Sequence, residues 1–198
     1  MINATNIRTI GVVGAGTMGQ GIAQVAIQSG YAVQLVDVTQ ELVDRGRARI
    51  AAQLQRAVDK GRMTREDAEA ALGRLTTAAD RALLAEADFV IEAVTEQLPV
   101  KLELFGALDK ICRPGVILAS NTSGLSITAM AASTTRPELV VGMHFFNPAP
   151  VMKLVEVVRG THTSETVIAA TVELARRLGK EPITVEESPL FEIGRAHV

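Results

Sequence analysis

The chain has 198 residues, 47% of them hydrophobic and 21% charged, a balance typical of a globular domain with a sizeable core. A formal net charge of −2 gives no pointer to a nucleic-acid or membrane partner, and no apolar run approaches the roughly 18 residues of a membrane span. The single cysteine, Cys112, excludes an intrachain disulfide and reads as a small buried hydrophobe. Met1 to Arg8 is polar and the apolar run after it is broken by glycines, so no signal peptide is expected, and the expected location is the cytoplasm.

In chain order, Ile7 to Val13 is an apolar run ending in glycines and reads as a buried strand. Thr17 to Gly30 has helical spacing, and Tyr31 to Val38 is a second strand, which makes a βαβ unit. Glu41 to Lys60 reads as a long helix closed by Gly61, and Thr64 as the N-cap of another, with Asp67 in its first turn. Strands are expected at Leu75–Ala78, Ala87–Val94, Gly115–Ser120, Leu139–Phe145, Leu154–Val158 and Pro182–Val185. Helices are expected at Pro99–Ile111, Ile127–Ala132 and Ser164–Leu178. The alternation predicts an α/β fold of Rossmann type, a doubly wound and mostly parallel sheet occupying residues 1–185.

Gly14-Ala15-Gly16-Thr17-Met18-Gly19 fits G-x-G-x-x-G between a strand and a helix. The first glycine permits the tight turn, the second lets the backbone approach a pyrophosphate, and the third allows close packing. The helix then aims its N-terminal amides at the anion. Asp37 follows Gly19 by 18 residues at the end of the second strand, where an acid binds ribose hydroxyls and repels a 2′-phosphate. The expected cofactor is NAD rather than NADP; the glycine motif by itself leaves FAD open.

Polar groups close several apolar strands: Glu92 and then Glu96, Ser120-Asn121-Thr122-Ser123, and His144-Phe145-Phe146-Asn147-Pro148. Ligands of open parallel sheets bind beyond the carboxyl ends of the strands. His144 is the natural general base, because an imidazole titrates near neutrality. Glu156, twelve residues on in an apolar strand, needs either solvent on an exposed sheet face or a partner, and as a partner of His144 it could orient the imidazole. No His/Cys cluster has metal-ligand spacing, so no metal is expected.

The glycine turn with Gln20-Gly21-Ile22-Ala23-Gln24, the Ser120–Ser123 block, and the run from His144 through Met152-Lys153-Leu154-Val155-Glu156-Val157 resemble the 3-hydroxyacyl-CoA dehydrogenases. The nearest likeness is to the bacterial 3-hydroxybutyryl-CoA and phenylacetate-pathway members, and it runs from about Ile7 to Phe191. The resemblance implies NAD-dependent oxidation of an L-3-hydroxyacyl-CoA in fatty-acid or aromatic-acid degradation. It makes His144 the base and Glu156 its orienting carboxylate. It puts Ser123 and Asn147 against substrate and nicotinamide, Glu96 and Lys101 on the cofactor side, and Lys60 against the CoA moiety. It also implies a helical carboxy-terminal domain that supplies homodimer contacts and the far wall of the acyl-CoA cleft. A hydroxyacid dehydrogenase of gulonate or carnitine type, and a non-catalytic NAD-binding module, are the alternatives. The His144–Pro148 block argues against the first, and the His144/Glu156 couple against the second.

The sequence departs from that pattern at Ser188-Pro189-Leu190-Phe191, where a glycine is usual in place of Leu190. Residues 186–198 are expected to be a truncated linker toward the helical domain. Residues 193–198 (Ile-Gly-Arg-Ala-His-Val) look non-native, which removes His197 as a catalytic candidate.

Overall fold

The structure, a computed structural model, describes residues 6–188. The chain runs β1 (Thr9–Val13), α1 (Thr17–Gln28), β2 (Ala32–Val36), α2 (Gln40–Asp59), α3 (Arg65–Gly73) and β3 (Leu75–Ala78). It continues with β4 (Phe89–Glu92), α4 (Leu98–Ile111), β5 (Ile117–Ser120), α5 (Ile127–Ala132), β6 (Val140–Phe145), β7 (Leu154–Arg159), α6 (Glu165–Arg177) and β8 (Glu181–Glu186). Short 3-10 turns at Arg81–Glu86 and Pro137–Leu139 were not expected from the sequence. The unusual terminal block and the expected non-native tail lie outside the described residues from position 189 onward.

The eight strands make one sheet in the order β3-β2-β1-β4-β5-β6-β7-β8. The first six strands are mutually parallel wherever they pair. β7 then returns antiparallel to β6, and β8 lies parallel to β7. The expected Rossmann-type doubly wound sheet is therefore present, with a reversed pair at one edge. Winding starts at β1 and goes one way to β2 and β3. It then crosses over to β4, and that change of direction opens a crevice at the carboxyl ends of β1 and β4.

Alternation along each strand sends side chains to two cores. Ile10, Val12, Leu35, Phe89, Ile91, Val141, Met143 and Phe145 pack with α1 and α6 on one face. Val13, Val90, Leu118, Val140 and Val158 pack with α4 and α5 on the other. Each fully buried Phe or Ile contributes about 1.5–3 kcal/mol, and Phe89, Phe105 and Phe145 stand in for the missing tryptophan. Helix starts are fixed locally. Thr39, Thr64, Ser126 and Ser164 accept a backbone N–H of the first turns of α2, α3, α5 and α6. Gly30, Gly61 and Gly179 take positive φ just past the ends of α1, α2 and α6.

Candidate functional site

The glycine turn lies at the crevice. Gly14 has φ +101°, and a Cβ there would stand 2.6 Å from the Ala93 carbonyl oxygen beyond β4. Its N–H donates to Val36 O at 2.8 Å, which ties the turn to β2. A Cβ on Gly19 would come within 1.7 Å of Gly14 O, so the helix backbone rests on the turn itself. Gly16, by contrast, faces open space on its Cβ side. Thr17 is exposed, and Met18 packs at the margin of the core. The N-terminus of α1 has no side-chain cap, unlike the four helices capped by Ser or Thr, and no acid in its first turn. Its amides and the positive end of its dipole are left to an anion.

Asp37 closes this turn from the side. Its Oδ2 accepts from Ala15 N at 2.6 Å and its Oδ1 from Val38 N at 2.7 Å. Beside it is a cavity of about 410 Å³ lined by Gly14, Gly16, Asp37, Val38, Val94 and Val100, among others. Val38 and Val100 are two of the few exposed large apolar side chains, and they offer apolar walls to a flat heterocycle. An open second glycine, an uncapped helix start, an acid at the ribose position and apolar walls fit a dinucleotide.

Past β4 the site becomes ionic. Lys101, only 1% exposed, donates from Nζ to Glu92 Oε1 at 2.5 Å and lies 3.3 Å from Glu96 Oε2. Glu92 also accepts from Ser120 Oγ at 2.6 Å and from Val94 N at 2.7 Å. Glu96 accepts from Thr122 Oγ1, and from the N–H and Oγ of Ser123. Burial alone would raise the Glu96 carboxyl, but the bonds from Thr122 and Ser123 and the Lys101 charge outweigh it and hold it below the ordinary glutamate value.

Lys101, expected on the cofactor side, thus meets two carboxylates rather than open space. Of these three charged side chains only Glu96, 44% exposed, is open to solvent. From sequence alone Glu92 is only a strand terminus, and Thr122 and Asn121 have no assigned role. The one available signal was a Glu ending the apolar run Phe89–Ile91, since a charge in that position needs a partner.

The reversal of β7 makes the next contact. In the antiparallel register His144 stands opposite Glu156, and His144 Nδ1 lies 2.7 Å from Glu156 Oε2. Glu156 is 1% exposed, while His144 keeps a partly open ring that packs on Phe146 at 4.5 Å between centroids. Asn121 Oδ1 accepts from Phe145 N at 2.8 Å, which fastens the loop carrying Ser123 to the strand carrying His144. Ser123 and Asn147 are both exposed at the ends of their strands.

Lys60 is not part of this group. It caps α2, two residues before Arg62, which borders a depression with Gln28, Ser29 and Gly30 at the far end of α1. That puts Lys60 toward the amino-terminal ends of the strands, whereas His144 lies near the carboxyl end of β6. No group of three or more His, Cys, Asp or Glu side chains able to hold a metal occurs among the described residues.

The sheet order and the crevice define a dinucleotide-binding domain of Rossmann type. Residues 9–188 match the family model for the 3-hydroxyacyl-CoA dehydrogenase NAD-binding domain, and the chain belongs to that family. Over 96% of its length it is 46% identical to 3-hydroxyadipyl-CoA dehydrogenase of Escherichia coli K12, covering 40% of that protein. It is 45% identical to the probable 3-hydroxybutyryl-CoA dehydrogenase of Bacillus subtilis, covering 66% of it. The crystal structure of (S)-3-hydroxybutyryl-CoA dehydrogenase from Ralstonia eutropha superposes with a TM-score of 0.94 at 46% identity, over 96% of this chain and 67% of that one. The chain therefore spans about 40–66% of the length of these two curated relatives.

Proposed function

We propose that the protein oxidises the 3-hydroxyl of an L-3-hydroxyacyl-CoA to the ketone with NAD, and that this chain supplies the cofactor site and the base. The observation that carries the reading is the 2.7 Å contact between His144 and Glu156, made across the β6–β7 pair near the carboxyl end of β6 in an NAD-binding sheet. Bound NAD supplies the hydride acceptor. Glu156 holds a proton on Nδ1 of His144, and in that tautomer Nε2 carries the lone pair that takes the hydroxyl proton. The buried carboxylate then stabilises the imidazolium as it forms. Ser123 and Asn147 position the substrate oxygen and the nicotinamide. Glu96, fixed by Lys101 and Thr122, keeps the Ser123 loop in place. Asp37 takes the ribose hydroxyls. Lys60, which the resemblance puts against the CoA moiety, would meet its distal nucleotide, away from His144.

The same reading has the enzyme working in the cytoplasm on fatty or aromatic acids, as a homodimer joined through the helical domain that the resemblance implies. Residues 1–185 are then the cofactor domain and 186–198 a truncated linker toward that helical domain, its last residues 193–198 non-native.

The test is NADH-dependent reduction of acetoacetyl-CoA by the complete enzyme. His144→Gln should cut kcat by roughly 10²–10⁴ while the NADH dissociation constant stays nearly fixed, since the base acts in the transition state. Near-native turnover by that variant would show that the base is another residue.

A further inference from the structure

Lys180, in the connection between α6 and β8, is a buried cation that none of the chemistry above uses. Burial pushes its ammonium below the ordinary lysine value. Its Nζ donates to two carbonyls, Ala149 O at 2.6 Å and Met152 O at 2.9 Å. The adjacent Glu181 N–H donates to Lys153 O at 2.8 Å. All three carbonyls belong to the turn that joins β6 to β7. That turn starts just after His144, carries Asn147, and ends just before Glu156.

From the other side the same turn rests on the cofactor helix. A Cβ on Gly21 of α1 would stand 3.2 Å from both the Ala149 side chain and Pro150. The turn is thus held between α1, two residues past the last glycine of the phosphate-binding motif, and the Lys180 ammonium. Between the anchored carbonyls the tip is exposed, with Val151 at 71% and Met152 at 40%. Two charge-assisted bonds to carbonyls are a strong local tether, and a neutral apolar side chain of similar length offers neither.

We propose that Lys180 is a positioning residue: it clamps the β6–β7 turn against α1 and so sets where Asn147 meets the nicotinamide end of the cofactor. This rests on the reading of Asn147 as a nicotinamide-side group. The clamp acts on one half of the cofactor only, because the adenosine half meets Asp37, Val38 and Val100 on the other side of the glycine turn.

The test uses the chain itself, Lys180→Met, and two ligands: NADH, which carries both halves, and AMP, which carries only the adenosine half. Backbone amide exchange, read by mass spectrometry over residues 147–153, should quicken by about tenfold or more in the variant. The NADH dissociation constant should rise by roughly three- to tenfold while that of AMP stays put. Lys180→Arg, which keeps a charged donor, should recover most of both effects. If circular dichroism shows Lys180→Met unfolded, Lys180→Gln makes the same comparison with a side chain that tolerates polar surroundings. Parallel weakening of NADH and AMP, or unchanged exchange in the turn, overturns the proposal. None of these readouts involves a thioester, so failure to turn over a 3-hydroxyacyl-CoA would leave the result for Lys180 intact.

Discussion

At the scale of single residues, Asp37 has two tasks that different substitutions separate. Its carboxylate receives the amides of Ala15 and Val38, and it lies on the wall of the cavity where a ribose would sit. NAD should therefore bind far better than NADP, whose extra phosphate would face a negative charge. Asp37→Asn removes the charge but keeps one acceptor for the turn, so it should narrow the NAD/NADP gap by about tenfold or more with modest loss of NAD affinity. Asp37→Ala should narrow the gap too, but at a larger loss of NAD, because Ala15 N loses its acceptor. Dissociation constants for both cofactors check this; equal affinities in the parent chain would refute it. Glu96 gives a pH dependence. Its folded carboxyl titrates below the ordinary value, so the folded state holds that proton less tightly than the unfolded chain. The stability it contributes is present above about pH 4.3 and is lost as pH falls through the lower folded value. Asp109 behaves likewise: burial raises it, but bonds from Thr135 and the Arg136 charge bring it lower. Melting temperatures should drop on acidification below that point, and Glu96→Gln should flatten part of the slope. An unchanged slope would mean that the Thr122–Glu96–Lys101 contacts do not form.

At the scale of elements, the turn between β1 and α1 separates folding from binding within three residues. Gly19→Ala puts a methyl group on the Gly14 carbonyl, which cannot move without opening the turn, so stability should fall by about 1–3 kcal/mol or more along with NAD affinity. Gly16 has an ordinary φ of −70° and open space at its Cβ, so Gly16→Ala should melt like the parent. It should still bind NAD more weakly, because the added methyl group occupies the approach of the pyrophosphate. Calorimetry and NAD titration on the two variants decide it; a stability loss for Gly16→Ala equal to that for Gly19→Ala would remove the distinction. That turn was legible in the sequence because glycine spacing carries its own geometric reason. So were the strands, the Thr64 cap and the buried Cys112, each written in local pattern. The direction of β7 was not: Leu154 to Val158 is apolar whichever way it runs, and only pairing with β6 sets Glu156 opposite His144. Nor was the place of Lys101, since a lysine in a leucine-rich helix reads as surface until Glu92 and Glu96 are brought to it by β4. Local pattern encodes secondary structure, whereas charge pairing between elements depends on tertiary placement.

At the scale of the whole molecule, the cofactor half of the site and the His144–Glu156 pair differ in how completely the described residues enclose them. The glycine turn, Asp37 and the valine-lined cavity are all supplied by β1, β2, β4 and the helices after them. The His144–Glu156 row continues across the sheet to Ile183, which faces Glu156 from β8 and is 39% exposed. Val151 and Met152 of the β6–β7 turn add to this exposed apolar surface, and under the proposed reading an acyl chain would need a second wall there. The chain alone should therefore bind NADH and yet turn over 3-hydroxybutyryl-CoA poorly. Without that wall the substrate carbon is not held within about 3–3.5 Å of its hydride partner. Water entering the cleft would also weaken the field of Glu156 on His144, since charge interactions fade in a high dielectric. The comparison is this chain beside a version extended by the remaining length of a curated relative, assayed with NADH and acetoacetyl-CoA under the same conditions. The extended version should turn over faster by orders of magnitude at a similar NADH dissociation constant. Equal turnover by the two would mean that the β6–β8 surface completes the acyl site unaided, and that the exposed valine, methionine and isoleucine already serve as its wall.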